Sequence, residues 1–324
     1  MFHHLRIASQ YALALVAALT VNFLLPRIAP GDPLNSLLGA DVVETMSEDA
    51  KEQVREQLGV AGPLHEQFRD YLGGVFTGDL GNSVVLGMPV WDALMQRLPW
   101  TLLLMTCALV VSTLIGTALG VLSSWRRGQA SDLLTMTAVL FLGSLPPFWV
   151  AMMLIILFST TLGWLPSFGA YQLGTSYPNW SWFMGVGRRL IMPVAALSIV
   201  QMASVLLIAR SSMQMAQDQD YVMFARARGV SEGDIFFRHA FRNAILPLYT
   251  HVMLSLGGLI GGALVIETVF SYPGLGSLIV MGVNSRDYLL LQGIFILTSF
   301  SIILANFLTD LTYPLIDPRT RMAG

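Results

Sequence analysis

The chain reads as an all-α integral membrane protein: six transmembrane helices, with a small helical insert on the outer face after the first. Three observations predict this. Hydrophobic residues make up 54% of the 324 positions and charged residues only 12%, about half the charge of a soluble domain. Six stretches reach the ~20 mostly apolar residues a helix needs to cross a bilayer: 7–28, 98–123, 134–160, 190–210, 245–269 and 290–313. The one long interval too polar to span, 29–97, carries regular apolar periodicity, which points to folded helices rather than a structureless loop.

The first span defines a segment 1–28. Arg6 ahead of an apolar run would suit a secretory signal, but the run exceeds the usual length and "FLLPRIAPGDP" offers no A-x-A cleavage site, so it reads as a retained span. Within 29–97, "SEDAKEQVREQLG" has an N-cap candidate in Ser47 and a terminating glycine in Gly59, with Val54 and Leu58 on one face. Pro63 can open a second helix carrying Phe68, Tyr71 and Leu72. "TGDLGNS" (77–83) is turn chemistry, and "VWDALMQRLP" (90–99) reads as an amphipathic helix lying on the membrane surface.

The spans from the second to the sixth form a core over 98–313, closed by a tail at 314–324. The aromatic-rich loop 161–189 reads as an interface belt. In the fifth span, Gly257, Gly258, Gly261 and Gly262 stand at small-xxx-small spacing, which favours close helix packing over a substrate role. Carboxylates are costly inside a membrane and flag function. Glu267 near the outer end of the fifth span either lines the mouth of a translocation path or caps the "SYPG" turn. Asp310 reads as an interfacial residue beside Tyr313.

Basic residues near span ends set orientation. With both termini inside, Arg6, Arg126, Arg127, Arg210, Arg226, Arg228, Arg238, Arg242, Arg319 and Arg321 all fall in inner segments, and the acid-rich 29–97 faces out. Arg188 and Arg189 run against this assignment.

One inner segment, the loop 211–244, is unusual. Asp220 to Arg228 is helix-compatible and Gly229 suits the position that ends a helix. Ser231, followed three residues later by Asp234, resembles a capping box that opens a second helix to about Asn243, and Pro247 marks a turn into the fifth span. Ile235, Phe236, Phe237 and Phe241 would leave a large apolar patch on a cytoplasmic loop. Aromatic residues with arginines nearby are the composition of an interface, although some of them can pack on the chain's own spans. His239 has no second ligand at metal spacing and reads as a packing or hydrogen-bonding residue.

The motifs also exclude chemistry. Cys107 is the single cysteine, so there is neither an intrachain disulfide nor a thiolate cluster. The single lysine, Lys51, is followed by Glu52, which rules out a P-loop. H-E-x-x-H does not occur. The chain is therefore expected to be non-catalytic, with no cofactor and no metal of its own.

"ARARGVSEGDIFFRHAFRNAILP" resembles the EAA-type coupling loop of permease subunits in bacterial ATP-binding-cassette (ABC) importers, most closely the peptide/nickel type. The pattern A-R-A-x-G, then H-A-x-R-N-A-x-x-P, falls on Ala225, Arg226, Ala227 and Gly229, then His239, Ala240, Arg242, Asn243, Ala244 and Pro247. "APGDP" (29–33), "GDLGNS" (78–83), "SLPPFWVAMMLIILFSTTLGWLPSFG" (144–169), "ETVFSYPGLGSL" (267–278), "SRDY" (285–288) and "LIDPRTR" (315–321) agree in order, so the likeness covers nearly the whole length. The long first external segment is similar to the B-type partner of these paired permeases. Pro147 beside Pro146 departs from the family's single proline and bears on local helix geometry.

The resemblance implies a type I ABC importer permease fold in a bacterial inner membrane. It implies a loop that seats in a groove of a cytoplasmic ATPase, with Ser231, Phe236 and Phe237 among its contacts. It further implies a second, homologous permease as heterodimer partner, one or two ATPase subunits holding ATP and Mg²⁺, and an extracytoplasmic substrate-binding protein. Lipid is the surrounding partner and nucleic acid is not expected. Two other functions compete. A self-sufficient secondary transporter would need repeats with broken helices and midplane ionisable groups. A membrane enzyme or scaffold would need a nucleophile–base or metal set.

Overall fold

The computed structural model describes residues 2–28, 34, 40–57, 60–172, 174, 177–259 and 264–316. The described chain is almost entirely helical and divides into two compact units. One comprises 1–102, 260–264 and 273–304; the other comprises 103–259, 265–272 and 305–324. Among the described residues, three helices are long and apolar enough to cross a membrane: Val90–Trp125, Trp180–Gln217 and Tyr288–Thr312. A fourth candidate is the pair Ala130–Gly143 and Pro147–Thr161, bent by 96° at its break. The bend follows from Pro146 and Pro147. Pro147 begins the second half, where a missing N–H is tolerated. The two prolines that depart from the family pattern thus break the predicted third span in two.

In the first unit, Phe2–Ile28 packs on Leu64–Thr77. Phe23 meets Phe68 edge-on at 5.0 Å and Tyr71 at 5.5 Å, while Arg27 Nε donates to Gln67 Oε1 at 2.9 Å. The helix Glu48–Gln57 starts as predicted, with Ser47 Oγ accepting from Ala50 N at 3.3 Å; Gly59 lies outside the described residues. Leu64–Thr77 starts after Pro63, also as predicted. The turn "TGDLGNS" leads into a short antiparallel pair, Asn82–Ser83 with Met88–Pro89, which no local pattern announces. Asp287, 1% exposed, holds this pair: Oδ2 accepts from Ser83 Oγ at 2.6 Å and from Val85 N at 3.3 Å, and Oδ1 accepts from Leu290 N at 3.1 Å. The carboxylate also caps the start of Tyr288–Ile316.

The segment 90–99 is not a separate surface helix. It is continuous with the second span in Val90–Trp125, with Pro99 inside. Its Val90 and Leu94 are fully buried against Leu275, Leu278, Leu290 and Ile294, so its apolar face is covered by protein.

The second unit is built around Trp180–Gln217, against which Ala130–Gly143, Pro147–Leu154 and Phe241–Gly258 pack. Close approach is provided by Gly116, Gly120 and Gly143. A Cβ at these positions would stand 2.8 Å from Val205 Cβ, 2.6 Å from the Leu206 carbonyl and 2.4 Å from Ala203 Cβ. In the predicted glycine cluster, Gly257 is buried, Gly258 faces open space, and Gly261 and Gly262 lie outside the described residues.

Candidate functional site

The loop between Trp180–Gln217 and the following apolar helix folds as a helix, a tight turn and a second helix. The first helix is Asp220–Ala227. Gly229 adopts φ +76°, a left-handed conformation that only glycine reaches without strain. Gly229 N donates to Arg226 O at 2.9 Å, and Val230 N to Ala225 O at 3.2 Å. An added Cβ at Gly229 would meet nothing within 4 Å, so the requirement for glycine is conformational alone.

Ser231 then caps the second helix. Its Oγ accepts from Asp234 N at 3.2 Å and donates to Asp234 Oδ2 at 2.8 Å. Arg226 grips Glu232 across the turn with a two-point fork, Nε to Oε1 at 2.8 Å and Nη2 to Oε2 at 3.1 Å. That hydrogen bonding holds the Glu232 carboxyl below its ordinary range. The second helix does not stop near Asn243. From Glu232 it runs through a π-helical stretch, Ile235–Ala240, directly into Phe241–Gly258, and Pro247 sits inside the continuous helix. The wider π turn shifts the register of the hydrogen-bond ladder, so no turn intervenes before the apolar helix.

The four predicted patch residues separate. Ile235 packs with Val222, Ala225 and Val230. Phe236, 6% exposed, is buried with Val121, Met213, Ala216, Ala240 and Ala244, its ring 4.3 Å from that of Trp125. Phe241 is partly buried on the same cluster. Phe237 alone of the four stays open, at 57% exposure, joined by Phe224 at 71% and Met223 at 63%. A cavity of about 200 Å³ opens beside these residues, between Trp125, Phe236 and the Arg226–Glu232 pair. Asn243 Nδ2 donates to Tyr221 Oη at 2.7 Å, and Tyr221 Oη donates to the His239 carbonyl at 3.4 Å, so Asn243 and His239 tie the two helices together. Ala227, Arg242 and Pro247 are exposed. The arrangement presents an aromatic, Arg-rimmed outer face on an internally braced hairpin.

Glu267, in Leu264–Val269, is fully buried, and its main-chain carbonyl accepts from Tyr272 N at 2.7 Å.

A polar cluster that the motif reading missed lies close behind the loop. Asp132 receives Arg210 in a fork, Nη2 to Oδ2 at 2.9 Å and Nε to Oδ1 at 3.1 Å. It also accepts from Ser123 Oγ and from Gly128 N, the latter at 3.2 Å. This joins Val90–Trp125, Ala130–Gly143 and Trp180–Gln217. One signal could have found it: Asp132 is the only acidic residue between Asp92 and Asp218.

Comparison with known proteins comes from two directions. Residues 112–322 match the family described as binding-protein-dependent transport system inner membrane component, and residues 1–105 match the N-terminal region of such components. Among individual relatives, a protein of Brucella abortus (strain 2308) is 36% identical over 316 residues, 98% of this chain and 97% of its own. The oligopeptide transport system permease protein AppB of Bacillus subtilis (strain 168) is 34% identical over 301 residues, 92% of each chain. The di/tripeptide transport system permease protein DppB of Pseudomonas aeruginosa (strain UCBPP-PA14) is 34% identical over 315 residues, 93% of each chain.

Proposed function

The chain belongs to the family of inner membrane components of binding-protein-dependent transport systems, and we propose that it forms half of a peptide translocation path, driven through the loop at 220–247. It is a permease subunit of an ABC importer and an integral inner membrane protein. Peptides are the substrate class that the relatives' names supply. In the proposed arrangement the chain spans the membrane six times with both termini inside, and 29–97 forms an outer helical cap. A second, homologous permease supplies the other half of the path. A substrate-binding protein delivers peptide from outside.

ATP and Mg²⁺ sit on one or two partner ATPases. The observation that carries this part is the outer face of the loop, where Phe224 and Phe237 remain exposed while the neighbouring Phe236 is packed away. Exposed aromatics rimmed by arginine are interface anchors. ATPase closure would displace the hairpin as a rigid body and switch the spans between inward and outward access.

Reconstitution tests the reading. Proteoliposomes holding this chain, its partner permease, the ATPases and the binding protein are expected to take up a labelled short peptide only with ATP inside. Uptake by this chain alone under an ion gradient would instead establish the secondary transporter.

A further inference from the structure

The break in the third predicted span falls near the middle of the membrane. A Cβ added to Gly143, at the end of the first half, would clash with Ala203 Cβ and stand 3.5 Å from the Val200 carbonyl oxygen. Val200 is the midpoint of the apolar stretch 190–210, and Ala203 lies within one helical turn of it. Gly143 therefore stands near mid-depth, and the chain leaves the helix between it and Pro147.

The break strands main-chain carbonyls. Pro146 and Pro147 have no N–H to return to Leu142 and Gly143, four residues back. Leu142 O accepts instead from Leu145 N at 3.3 Å, and Phe141 O from Ser144 N at 3.2 Å and Ser144 Oγ at 2.7 Å. Beyond the break, Trp149 N and Val150 N both donate to Pro146 O, at 3.0 and 3.2 Å. Among the described residues, no backbone N–H reaches the carbonyls of Gly143, Ser144 or Leu145. Ser144, Pro146 and Pro147 are exposed, and Gly143 and Leu145 are half-buried.

Hydrocarbon offers these carbonyls nothing. Non-helical backbone at this depth is stable only where protein covers it or where it borders a water-filled cavity. A neighbouring membrane helix cannot serve it from its own backbone, whose N–H groups are spent within the helix. An extended chain can, because its N–H groups are free. No charged residue occurs between Asp132 and Arg188, so this part of the chain offers neutral acceptors alone.

We propose that the break over 143–147 borders the translocation path, and that the carbonyls of Gly143, Ser144 and Leu145 accept hydrogen bonds from the main-chain N–H groups of a peptide in transit. The proposal rests on the peptide-importer reading above and adds a substrate contact to it. Main-chain hydrogen bonds are indifferent to side chains, so such a site passes peptides of varied sequence.

The test is the reactivity of a cysteine at the break. In a Cys107→Ala background, Ser144→Cys is placed in the transporter assembled with its partner permease and ATPases in nanodiscs, with the binding protein left out. A charged methanethiosulfonate reagent reacts with the thiolate, which forms in water and not in hydrocarbon. Modification is expected. Tri-alanine should slow it about fivefold or more by occupying the site. Its isomer tri-sarcosine, whose amide nitrogens are methylated and carry no hydrogen, should slow it far less. Co-purification with the ATPases at wild-type yield checks folding; where Ser144→Cys fails to assemble, Leu145→Cys, which also adds no N–H to the break, carries the test. An unreactive thiol means that lipid or the partner permease covers the break, and overturns the proposal. Modification that tri-alanine leaves unslowed, or equal protection by tri-sarcosine, overturns it too. ATP-driven uptake of tri-alanine by the complete, unsubstituted system with its binding protein separates the two claims. Uptake alongside an overturned result leaves the importer reading standing, and failure of uptake removes both.

Discussion

Adjacent phenylalanines in the loop should fail in opposite ways when truncated. Phe237→Ala removes an exposed ring and Phe236→Ala a buried one. A phenylalanine side chain offers roughly 200 Å². At 57% exposure, Phe237 therefore leaves about 110 Å² for a partner to cover. At ~25 cal/mol per Å² that is ~3 kcal/mol of association, about 100-fold in affinity. Incomplete seating would reduce the loss to about tenfold. Phe236, 6% exposed and set edge-on against Trp125, contributes to the fold instead, and its truncation should cost ~3–5 kcal/mol of stability. The assay titrates purified ATPase onto the permease in nanodiscs and records the melting temperature of each variant. Phe237→Ala should bind the ATPase 10- to 100-fold more weakly and melt near wild type. Phe236→Ala should melt well below it. Wild-type ATPase affinity in Phe237→Ala, or a wild-type melt in Phe236→Ala, would refute the assignment of inner and outer faces.

Three further outcomes are expected. Asp132→Asn leaves the Arg210 guanidinium, 23% exposed, without its counter-charge, which should destabilise the chain by ~3 kcal/mol; thermal melts should show Arg210→Lys, which keeps the charge and loses the fork, roughly half as harmful. Asp287→Ala orphans donors on Ser83, Val85 and Leu290 at once and should cost ~3 kcal/mol or more, with Asp287→Asn milder because asparagine still caps a helix; protease susceptibility around 82–90 reports both. Glu232 has a depressed pKa, so its contribution is present above the unfolded carboxylate value of ~4.3 and is lost as pH falls through the lower folded value. Amide exchange over 226–234, compared with Glu232→Gln, should therefore diverge above about pH 4 and converge below it.

The loop was legible because its signals are local. A glycine forced to positive φ, a serine capping box and an Arg-rich composition all act within a few residues, and each appears in place at Gly229, Ser231 and Arg226. Three features were not legible for the opposite reason. The Asp132–Arg210 pair bridges 78 positions and the Ser83–Asp287 bond 204, and no periodicity within one helix announces such a partner. The fusion of 90–99 with the second span depends on Leu275, Leu278 and Leu290 covering Val90 and Leu94. An amphipathic stripe reads the same whether lipid or protein covers it. Glycine packing followed the same rule: the close approaches fall at Gly116, Gly120 and Gly143, chosen by what lies opposite each of them.

The continuity past Pro247 changes how the loop can act. A turn after Asn243 would have hinged the hairpin, letting it follow an ATPase while the fifth span stood still. The helical run from Glu232 to Gly258 has no such break. Its loop end is anchored by Phe236, Ala240 and Ala244 to Val121, Met213 and Ala216, and Leu248 further along packs on Val205 and Ala209. Under the proposed docking, a displacement at Phe237 moves this whole run, because packed helices shift as rigid bodies rather than deforming. The π turn over 235–240 departs from α geometry, and Pro247 leaves one hydrogen bond out of the ladder; π segments gather at functional positions. Under that docking the hairpin would act as a lever on the apolar helix Phe241–Gly258, with the buried face of Phe236 as its fulcrum and the exposed face of Phe237 as its point of load.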